Sequence, residues 1–170
     1  MPIIELHLAQ PSDYLSIENM MQFYSYDFSE WLPLSPALSL GQNGLFTIRP
    51  KATYWARPTT QGFIIKVDGE VAGFVTVDDE VNYPELDHNM GYFFVTRRFR
   101  GKGVAKQALG LLLPRFVGRW QIFHIDDNRP AALFWKKFIA DYTHGAFSVH
   151  REWIDEMHCT LYQFEQKAKS

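Results

Sequence analysis

The sequence predicts an α+β domain in which helices cover both faces of a mixed β-sheet. The first observation is the order of the elements, β-α-(α)-β-β-β-α-β-α-β-β, in which strand-like apolar segments alternate with amphipathic stretches. The second is a strong hairpin signal in the middle of the chain. The third is composition, because 170 residues with 46% apolar side chains suffice for one buried core. We find no repeat or linker, so we expect a single domain over residues 1–170.

The N-terminal third predicts one strand and one helix followed by irregular chain. Ser12 or Asp13 can cap the helix, whose apolar side chains continue to Tyr24. Glycine and proline interrupt the segment that follows, which predicts a loop. The predicted elements are a strand at 2–8, a helix from Pro11, a loop or second short helix at 27–36, and a loop at 38–60 with a short helix near 51–55.

The central segment predicts a β-hairpin. The dipeptide Asp68-Gly69 separates two apolar runs, 63–67 and 71–77, and Asp-Gly in this position is among the strongest short-range turn signals. The sheet then breaks, and the apolar run 90–95 predicts the next strand.

The C-terminal part predicts two helices that alternate with strands. The first helix, 103–116, places its apolar side chains on one face, and Pro114 lies in its last turn. Asn128 can cap the second helix, which has Pro130 in its first turn. The remaining predicted elements are a buried strand at 121–125, the body of the second helix up to Ala140, and terminal strands at 146–150 and 157–165.

Charge is distributed unevenly, although the net charge is only −2. Residues 1–48 contain five acids and no Lys or Arg, whereas residues 97–137 contain ten Lys or Arg and two acids. A cationic half would favour a polyphosphate ligand, and an acidic half would favour a cationic amine. The alternative is a solvated basic face. Because most of the chain is acidic, we do not expect a nucleic-acid partner.

Cysteine and histidine patterns argue against several chemistries. Cys159 is the single cysteine, so no intrachain disulfide forms, and it alternates with apolar residues as a core side chain would. No His and Cys spacing is typical of zinc, so we expect no metal. His124 lies within an apolar strand and is expected to be a core histidine. Arg49 is the first Lys or Arg and no apolar run could span a bilayer, so we expect a cytoplasmic protein without a membrane partner.

The most informative motif is Arg98-x-x-Gly101-x-Gly103, which lies between the strand 90–95 and the following helix. A turn at a helix start leaves several backbone N–H groups without partners at the positive end of the helix dipole. Glycine lets a ligand approach the backbone closely, and the flanking basic residues add charge. The turn therefore suits a phosphate or diphosphate. It matches neither the G-x-x-x-x-G-K-[ST] loop nor the G-x-G-x-x-G dinucleotide motif.

This turn resembles the acyl-CoA-binding motif of the GNAT superfamily of N-acetyltransferases. A second match begins at Asn128, because the family often has an Asn, an Ala three residues later, and an aromatic pair on the following helix. Here these residues are Asn128, Ala131, Phe134 and Trp135. The resemblance covers nearly the whole chain and implies a mainly antiparallel central sheet whose two central strands splay apart beside the cofactor.

The resemblance implies acetyl-CoA as co-substrate and assigns residues to it. Backbone amides of the glycine turn would hold the diphosphate, strand residues would pair with pantetheine, and the helix after Asn128 would line the thiol end. The implied cofactor-binding residues are Phe93, Phe94, Val95, Arg98, Arg100, Gly101, Lys102, Gly103, Val104, Asn128, Phe134 and Trp135.

The implied reaction is direct attack of a neutral amine on acetyl-CoA, which needs a base, an oxyanion dipole and an acid for the thiolate. Many relatives have a tyrosine as the acid where this chain has Trp135, and indole is a very poor acid. The candidates for the acid are Tyr92 and Tyr142, unless the thiolate leaves unassisted. For the base we expect Asp87 or a chain of water molecules.

Asp27 and Glu30 lie where the family has its substrate-facing loop, and we expect them to hold a cationic acceptor. The leading hypothesis is therefore an N-acetyltransferase that acts on a primary amine of a small molecule, peptide or protein. The alternative is a GNAT-fold domain that binds acyl-CoA as a sensor or interaction module with weak or no catalysis. Dimers are frequent in the superfamily, so a homodimer is compatible with the resemblance.

Overall fold

The protein folds into a seven-stranded β-sheet with helices on both faces. The computed structural model describes residues 1–32, 35–47 and 51–169. The strands are β1 (Ile4–Leu8), β2 (Gln61–Val67), β3 (Glu70–Asp78), β4 (His88–Val95), β5 (Gly118–Ile125), β6 (Phe147–Ile154) and β7 (Met157–Gln166). The α-helices are α1 (Tyr14–Phe28), α2 (Ala52–Trp55), α3 (Val104–Leu112) and α4 (Arg129–Tyr142). The predicted α+β class and the mixed, mainly antiparallel sheet are confirmed.

The strand order in the sheet is β1-β2-β3-β4-β5-β7-β6. Every neighbouring pair is antiparallel except β4 and β5, which are parallel. These two strands pair only at His88 with Trp120 and at Asn89 with Gln121. Beyond these residues the strands diverge, because no further pair joins them within the described residues although both continue for several residues. The sheet therefore opens at its centre.

The two faces of the sheet carry separate cores. On one face, α3 and α4 pack against alternate strand residues, with Leu109 and Ile139 fully buried over Ile65 and Trp120. On the other face, α1 packs through Ile17 and its neighbours against side chains of β2, β3 and β4. The alternation along β2 explains this division, because successive side chains of a strand point to opposite faces.

The predicted local signals correspond to observed turns and caps. The hairpin turn between β2 and β3 has Asp68 and Gly69 at φ values of 50° and 81°, which is the primed turn favoured between antiparallel strands. The Asn128 side chain caps α4 by accepting a hydrogen bond from Ala131 N. α3 ends at Leu112, and a single 3-10 turn follows around Pro114, whose missing N–H cannot continue the helix.

Several boundaries differ from the prediction by two to four residues, and two of these differences affect the site. The helix α1 includes Asp27 and Phe28, where the sequence predicts a loop or second helix from residue 27. β6 continues to Ile154, four residues beyond the predicted end at residue 150, because a tight turn at Asp155 and Glu156, both with positive φ, joins it directly to β7. The structure does not describe residues 33–34 and 48–50 of the predicted loops or residue 170 of the predicted domain.

Among the residues that the structure describes, no helix is both long and apolar enough to cross a membrane.

Candidate active site

The divergence of β4 and β5 opens a cavity of about 1240 Å³. Residues 89–95 of β4 and residues 122–125 of β5 form its two walls. The end of α1, the end of β3 with the residues after it, the turn before α3, the start of α4 and the hairpin between β6 and β7 also contribute to the lining. The cavity thus brings together segments from distant parts of the sequence, including the motif that contains Gly101 and Gly103.

The glycine turn presents unpaired backbone amides to this cavity. Gly101 and Gly103 have φ values of 72° and 77°, a left-handed conformation that costs other residues about 1–2 kcal/mol. Gly103 is the N-cap of α3, and no side chain caps this helix. The first-turn amides of Val104, Ala105 and Lys106 therefore lack an intrahelical acceptor, and these residues line the cavity. This arrangement fits the diphosphate of the predicted co-substrate, because helix N-termini bind phosphate groups.

Two arginines of the same turn are paired with a carboxylate of α1. Arg97 Nη2 lies 2.8 Å from Asp27 Oδ1, and Arg100 Nη2 lies 2.6 Å from Asp27 Oδ2. Arg100 also donates from Nε to the Val95 carbonyl at 2.7 Å. Burial alone would raise the pKa of Asp27, but the hydrogen bonds and charges of Arg100 and Arg97 lower it overall. The pair also explains why α1 extends to Asp27, since a carboxylate in the last turn of a helix otherwise opposes the helix dipole.

Most of the residues assigned to the cofactor from sequence line this cavity. They are Phe93, Phe94, Val95, Arg100, Gly101, Gly103, Val104, Asn128, Phe134 and Trp135. Arg98 and Lys102 do not belong to the lining as far as the structure describes it. The Arg98 side chain is directed elsewhere, with its Nε 3.0 Å from Glu70 Oε1.

The start of α4 supplies an aromatic wall. Trp135 is only 7% exposed, and its ring lies edge-on to Phe93 with 5.6 Å between the ring centroids. Phe134 and Phe138 contact the same indole. The side-chain Oδ1 of Asn128 accepts a hydrogen bond from Ala131 N at 3.2 Å as the helix cap, so this oxygen positions α4 rather than facing a ligand.

Asp78 is a buried carboxylate in the lining that the sequence did not single out. It ends β3 with 2% exposure, and its Oδ2 accepts a hydrogen bond from the Tyr54 hydroxyl at 2.6 Å. The same hydroxyl oxygen lies 2.9 Å from Thr76 Oγ1, which accepts from Tyr92 N at 2.9 Å. A phenol has one proton, so Thr76 donates to Tyr54 in turn. Burial and the Asp78 charge raise the pKa of Tyr54, which keeps the phenol protonated.

Hydrogen bonds continue from Asp78 to the point where β4 and β5 separate. Asn89 Nδ2 donates to Asp78 Oδ1, and Gln121 Nε2 donates to Asn89 Oδ1, each at 2.9 Å. Gln121 Oε1 in turn accepts from Asn82 N at 2.8 Å. These buried groups satisfy one another across three strands, as buried polar side chains must. The network fixes the separation point and the adjoining cavity wall.

A β-bulge in β4 lies directly over this network. The register between β3 and β4 shifts between Val75 and Val77, which leaves Gly91 and Tyr92 opposite Thr76. A Cβ atom at Gly91 would lie 2.6 Å from the Tyr54 hydroxyl and from Thr76 Oγ1. Glycine is therefore required at residue 91 by the close approach of the buried polar groups.

His124 lines the cavity from β5 and has a ring nitrogen without a partner. The residue is 8% exposed, and its Nδ1 lies 3.1 Å from the Ile125 carbonyl oxygen. Because a carbonyl can only accept, the proton of the neutral ring is on Nδ1, and Nε2 carries a lone pair. Nε2 is buried, and the described residues provide no hydrogen-bond partner for it. The sequence predicts a buried histidine, but alternation along a strand could not reveal the cavity beside it.

The structure brings only one of the three predicted catalytic side chains to the cavity. Tyr92 lines it beside Tyr24, with 5.5 Å between the ring centroids. Asp87 lies outside the described lining, where its Oδ2 accepts from Arg119 N at 2.8 Å and fixes the start of β5. Tyr142 also lies outside that lining, and its hydroxyl donates to Gln166 Oε1 at 2.6 Å. Both side chains are therefore committed to the framework.

Acidic residues surround the remaining part of the cavity. Asp27 and Glu30 line it, as the predicted acceptor site requires, and the β6–β7 turn adds Asp155. The contribution of this turn was not predicted, because nothing in residues 154–157 indicates which element they face. No group of three or more His, Cys, Asp or Glu side chains that could hold a metal ion occurs in the portion described.

The sheet opens between β4 and β5, and the glycine turn presents the amides of α3 to this opening. This arrangement is typical of acyl-CoA acyltransferases. The profile of the Acetyltransferase (GNAT) family matches residues 20–140. The chain therefore belongs to this family. No curated protein matches it significantly in sequence.

Solved structures share the fold over almost the whole chain. An acetyltransferase from Thermus thermophilus is similar with a TM-score of 0.68 and 16% identity, covering 96% of this chain and 97% of the other. Arabidopsis thaliana Naa50, in complex with the bisubstrate analogue CoA-Ac-MVNAL, gives 0.59 and 13%, covering 96% and 99%. A GNAT family acetyltransferase from Elizabethkingia anophelis with acetyl-CoA bound gives 0.57 and 10%, covering 96% and 98%. At these identities the likeness establishes the fold.

Proposed function

We propose that this protein is an N-acetyltransferase that transfers the acetyl group of acetyl-CoA to a primary amine of a small molecule, peptide or protein. The observation that carries the proposal is the cavity of about 1240 Å³ between β4 and β5. It joins a phosphate-binding turn, an unpaired strand edge, a buried imidazole nitrogen and an acidic region. Each of these features matches one part of the two substrates.

Acetyl-CoA would bind along the turn and the open edge of β4. The amides of Gly103 to Lys106 suit the diphosphate, as argued above. Beyond Asn89, the edge of β4 that faces β5 has no strand partner in the described structure, so its backbone groups are available to the amides of pantetheine. Phe134 and Trp135 then exclude water from the thiol end. One of the β4 amides near Phe94 would polarise the thioester carbonyl.

His124 is the best candidate for removing the proton from the acceptor ammonium. His124 lines the cavity, and its buried Nε2 carries a lone pair without a partner among the described residues. Asp78 is a weaker candidate, because its carboxylate already accepts from Tyr54, Asn89 and the Glu80 amide. Removal of this proton directly or through one water molecule would give the neutral amine that the reaction needs.

The transfer then forms the amide C–N bond and breaks the thioester C–S bond. The nitrogen gives up its second proton as the amide forms, and the departing thiolate takes up one proton, so this step releases no net proton. Trp135 cannot supply it, since indole is a donor with negligible acidity. Tyr92 lines the cavity and is the remaining candidate from the predicted set. Asp27, Glu30 and Asp155 would favour a cationic acceptor at the other side of the cavity.

A second candidate function is a GNAT-fold domain that binds acyl-CoA without turnover. One observation favours it, namely that the buried Trp135 occupies the position where the family often has its acidic tyrosine. Both functions require the same cofactor site, so only catalysis separates them.

Calorimetry with acetyl-CoA, followed by thiol release against a panel of primary amines, tests the proposal. We expect micromolar binding and amine-dependent release of CoA thiol. Binding without release on any amine would favour the non-catalytic domain. Failure to bind acetyl-CoA would overturn the assignment of the glycine turn and both functions with it.

A further inference from the structure

We propose that Asp27 and the diphosphate of acetyl-CoA compete for Arg97 and Arg100, so that cofactor binding releases the Asp27 carboxylate toward the acceptor side of the cavity. This inference rests on the proposed function. It assigns Asp27 two successive partners, the arginines of the glycine turn in the free enzyme and the acceptor's ammonium group in the complex.

The geometry places all three side chains around one volume. Asp27, Arg97 and Arg100 line the same cavity, and each oxygen of the carboxylate takes one arginine, at 2.8 and 2.6 Å. The arginines belong to the turn whose amides suit the diphosphate. In the free enzyme the carboxylate therefore occupies cations that an arriving diphosphate would also attract.

The pairs are suited to exchange because they are accessible. The side chains of Arg97 and Arg100 are 74% and 43% exposed, and that of Asp27 is 25% exposed. Exposed ion pairs contribute little stability, because water and salt screen them. A diphosphate carries more charge than one carboxylate and also accepts from the backbone amides beginning at Gly103, so it has the advantage in this competition.

Arg100 can change partners without leaving the site. Its Nε is held by the Val95 carbonyl at 2.7 Å, and its guanidinium lies 5.5 Å from the Phe94 ring centroid. These contacts fix the group at the cavity wall, so only the terminal nitrogen has to exchange the Asp27 oxygen for a phosphate oxygen. Arg97 has the more exposed side chain of the two and can follow.

The released carboxylate would be left with an unfavourable charge. It lies in the last turn of α1, where the negative end of the helix dipole disfavours an anion. Glu30 lines the cavity nearby and adds a second negative charge. A primary ammonium is the group that compensates both, so the enzyme would take a cationic amine more readily after acetyl-CoA than before it.

The chain offers a matched control in the Glu70–Arg98 pair. Arg98 belongs to the same turn, and its Nε lies 3.0 Å from Glu70 Oε1 with both side chains exposed. Neither residue lines the cavity in the part described. Glu70→Gln therefore removes one carboxylate from a turn arginine without removing the proposed competitor.

Acetyl-CoA affinity of the variants, measured by calorimetry at low salt, tests the competition. We expect Asp27→Asn to bind acetyl-CoA about three- to tenfold more tightly than the wild type, since two weak ion pairs no longer oppose binding. Glu70→Gln should stay within twofold of the wild type. If Asp27 instead positions the arginines for the diphosphate, Asp27→Asn will bind acetyl-CoA more weakly, and the inference fails.

A second measurement uses the wild-type protein and needs no variant to fold. The carboxyl carbon of Asp27 is followed by NMR during acid titration, alone, with CoA and with inorganic pyrophosphate. We expect the pKa of Asp27 to lie below its usual range in the free protein and to rise when either ligand is added, because the arginines leave. An unchanged or lower pKa with saturating CoA would overturn the exchange. Absence of CoA binding by the wild type would instead overturn the proposed function.

Discussion

Introducing a negative charge at Gly103 should abolish useful affinity for acetyl-CoA while leaving the fold intact. The Gly103 φ of 77° makes any side chain strained, at about 1–2 kcal/mol, but the nearest atom to an added Cβ is Gln107 Nε2 at 3.6 Å. An added Cβ atom therefore meets no close contact. Coulomb's law gives about 3 kcal/mol for one charge about 6 Å from a doubly charged diphosphate at an effective dielectric constant of about 40. Gly103→Glu should bind about a hundredfold more weakly.

Gly110→Glu is the matched control for this variant. Gly110 lies on the exposed side of the same helix, and nothing is within 4 Å of an added Cβ. It adds the same charge outside the described cavity lining. Calorimetry with acetyl-CoA on both variants, with circular dichroism to verify folding, separates local repulsion from a general charge effect. Equal affinities for the two variants would refute the location of the diphosphate at the turn.

Three further changes test the other parts of the site. His124→Asn removes the proposed base, and kcat/KM in the thiol-release assay should fall about 10²–10⁴-fold with acetyl-CoA affinity retained; turnover within twofold of the wild type would exclude His124 as base. Trp135→Tyr should raise turnover and lower the free energy of unfolding by about 1–2 kcal/mol; a folded variant without a gain would mean either that Tyr92 already supplies the proton or that the thiolate leaves unassisted. Gly91→Ala should lower the free energy of unfolding, measured by urea denaturation, by about 3 kcal/mol, because its Cβ would collide with Tyr54. The control variant, Gly110→Ala, should raise the free energy of unfolding by about 0.5–1 kcal/mol. Equal stabilities of the two alanine variants would contradict the packing at the bulge.

Local chemistry made much of the fold predictable. The turn at Asp68, the cap at Asn128 and the glycine turn before α3 each depend on residues within a few positions of one another. Such interactions are encoded in short segments, and the structure contains them as predicted. The residues predicted to bind the cofactor belong to the same segments, and most of them line the cavity.

The part of the cavity around Asp78, Asp27 and His124 depends on contacts between residues that are distant in sequence. Asp78 acquires its partners from α2 and β4, and Asp27 meets an arginine 70 positions away. Neither contact leaves a pattern in the sequence near the residue. Asp87 was assigned as base because it precedes a central strand, but that position faces the start of β5. The orientation of His124 is likewise decided by how far β5 departs from β4, which no local signal reports.

The single parallel pair has a consequence for how the domain holds together. β1 to β4 come from residues 4–95 and β5 to β7 from residues 118–166, so each half of the sheet is one continuous stretch of chain. Two paired positions and the Asn89–Gln121 side chains join the halves within the sheet, and the helical core on one face joins them outside it. A molecule bound along the open edge of β4 would take the place of a strand between β4 and β5. Occupancy would then strengthen the connection between the two halves of the sheet, and the stability of the domain would rise with ligand concentration.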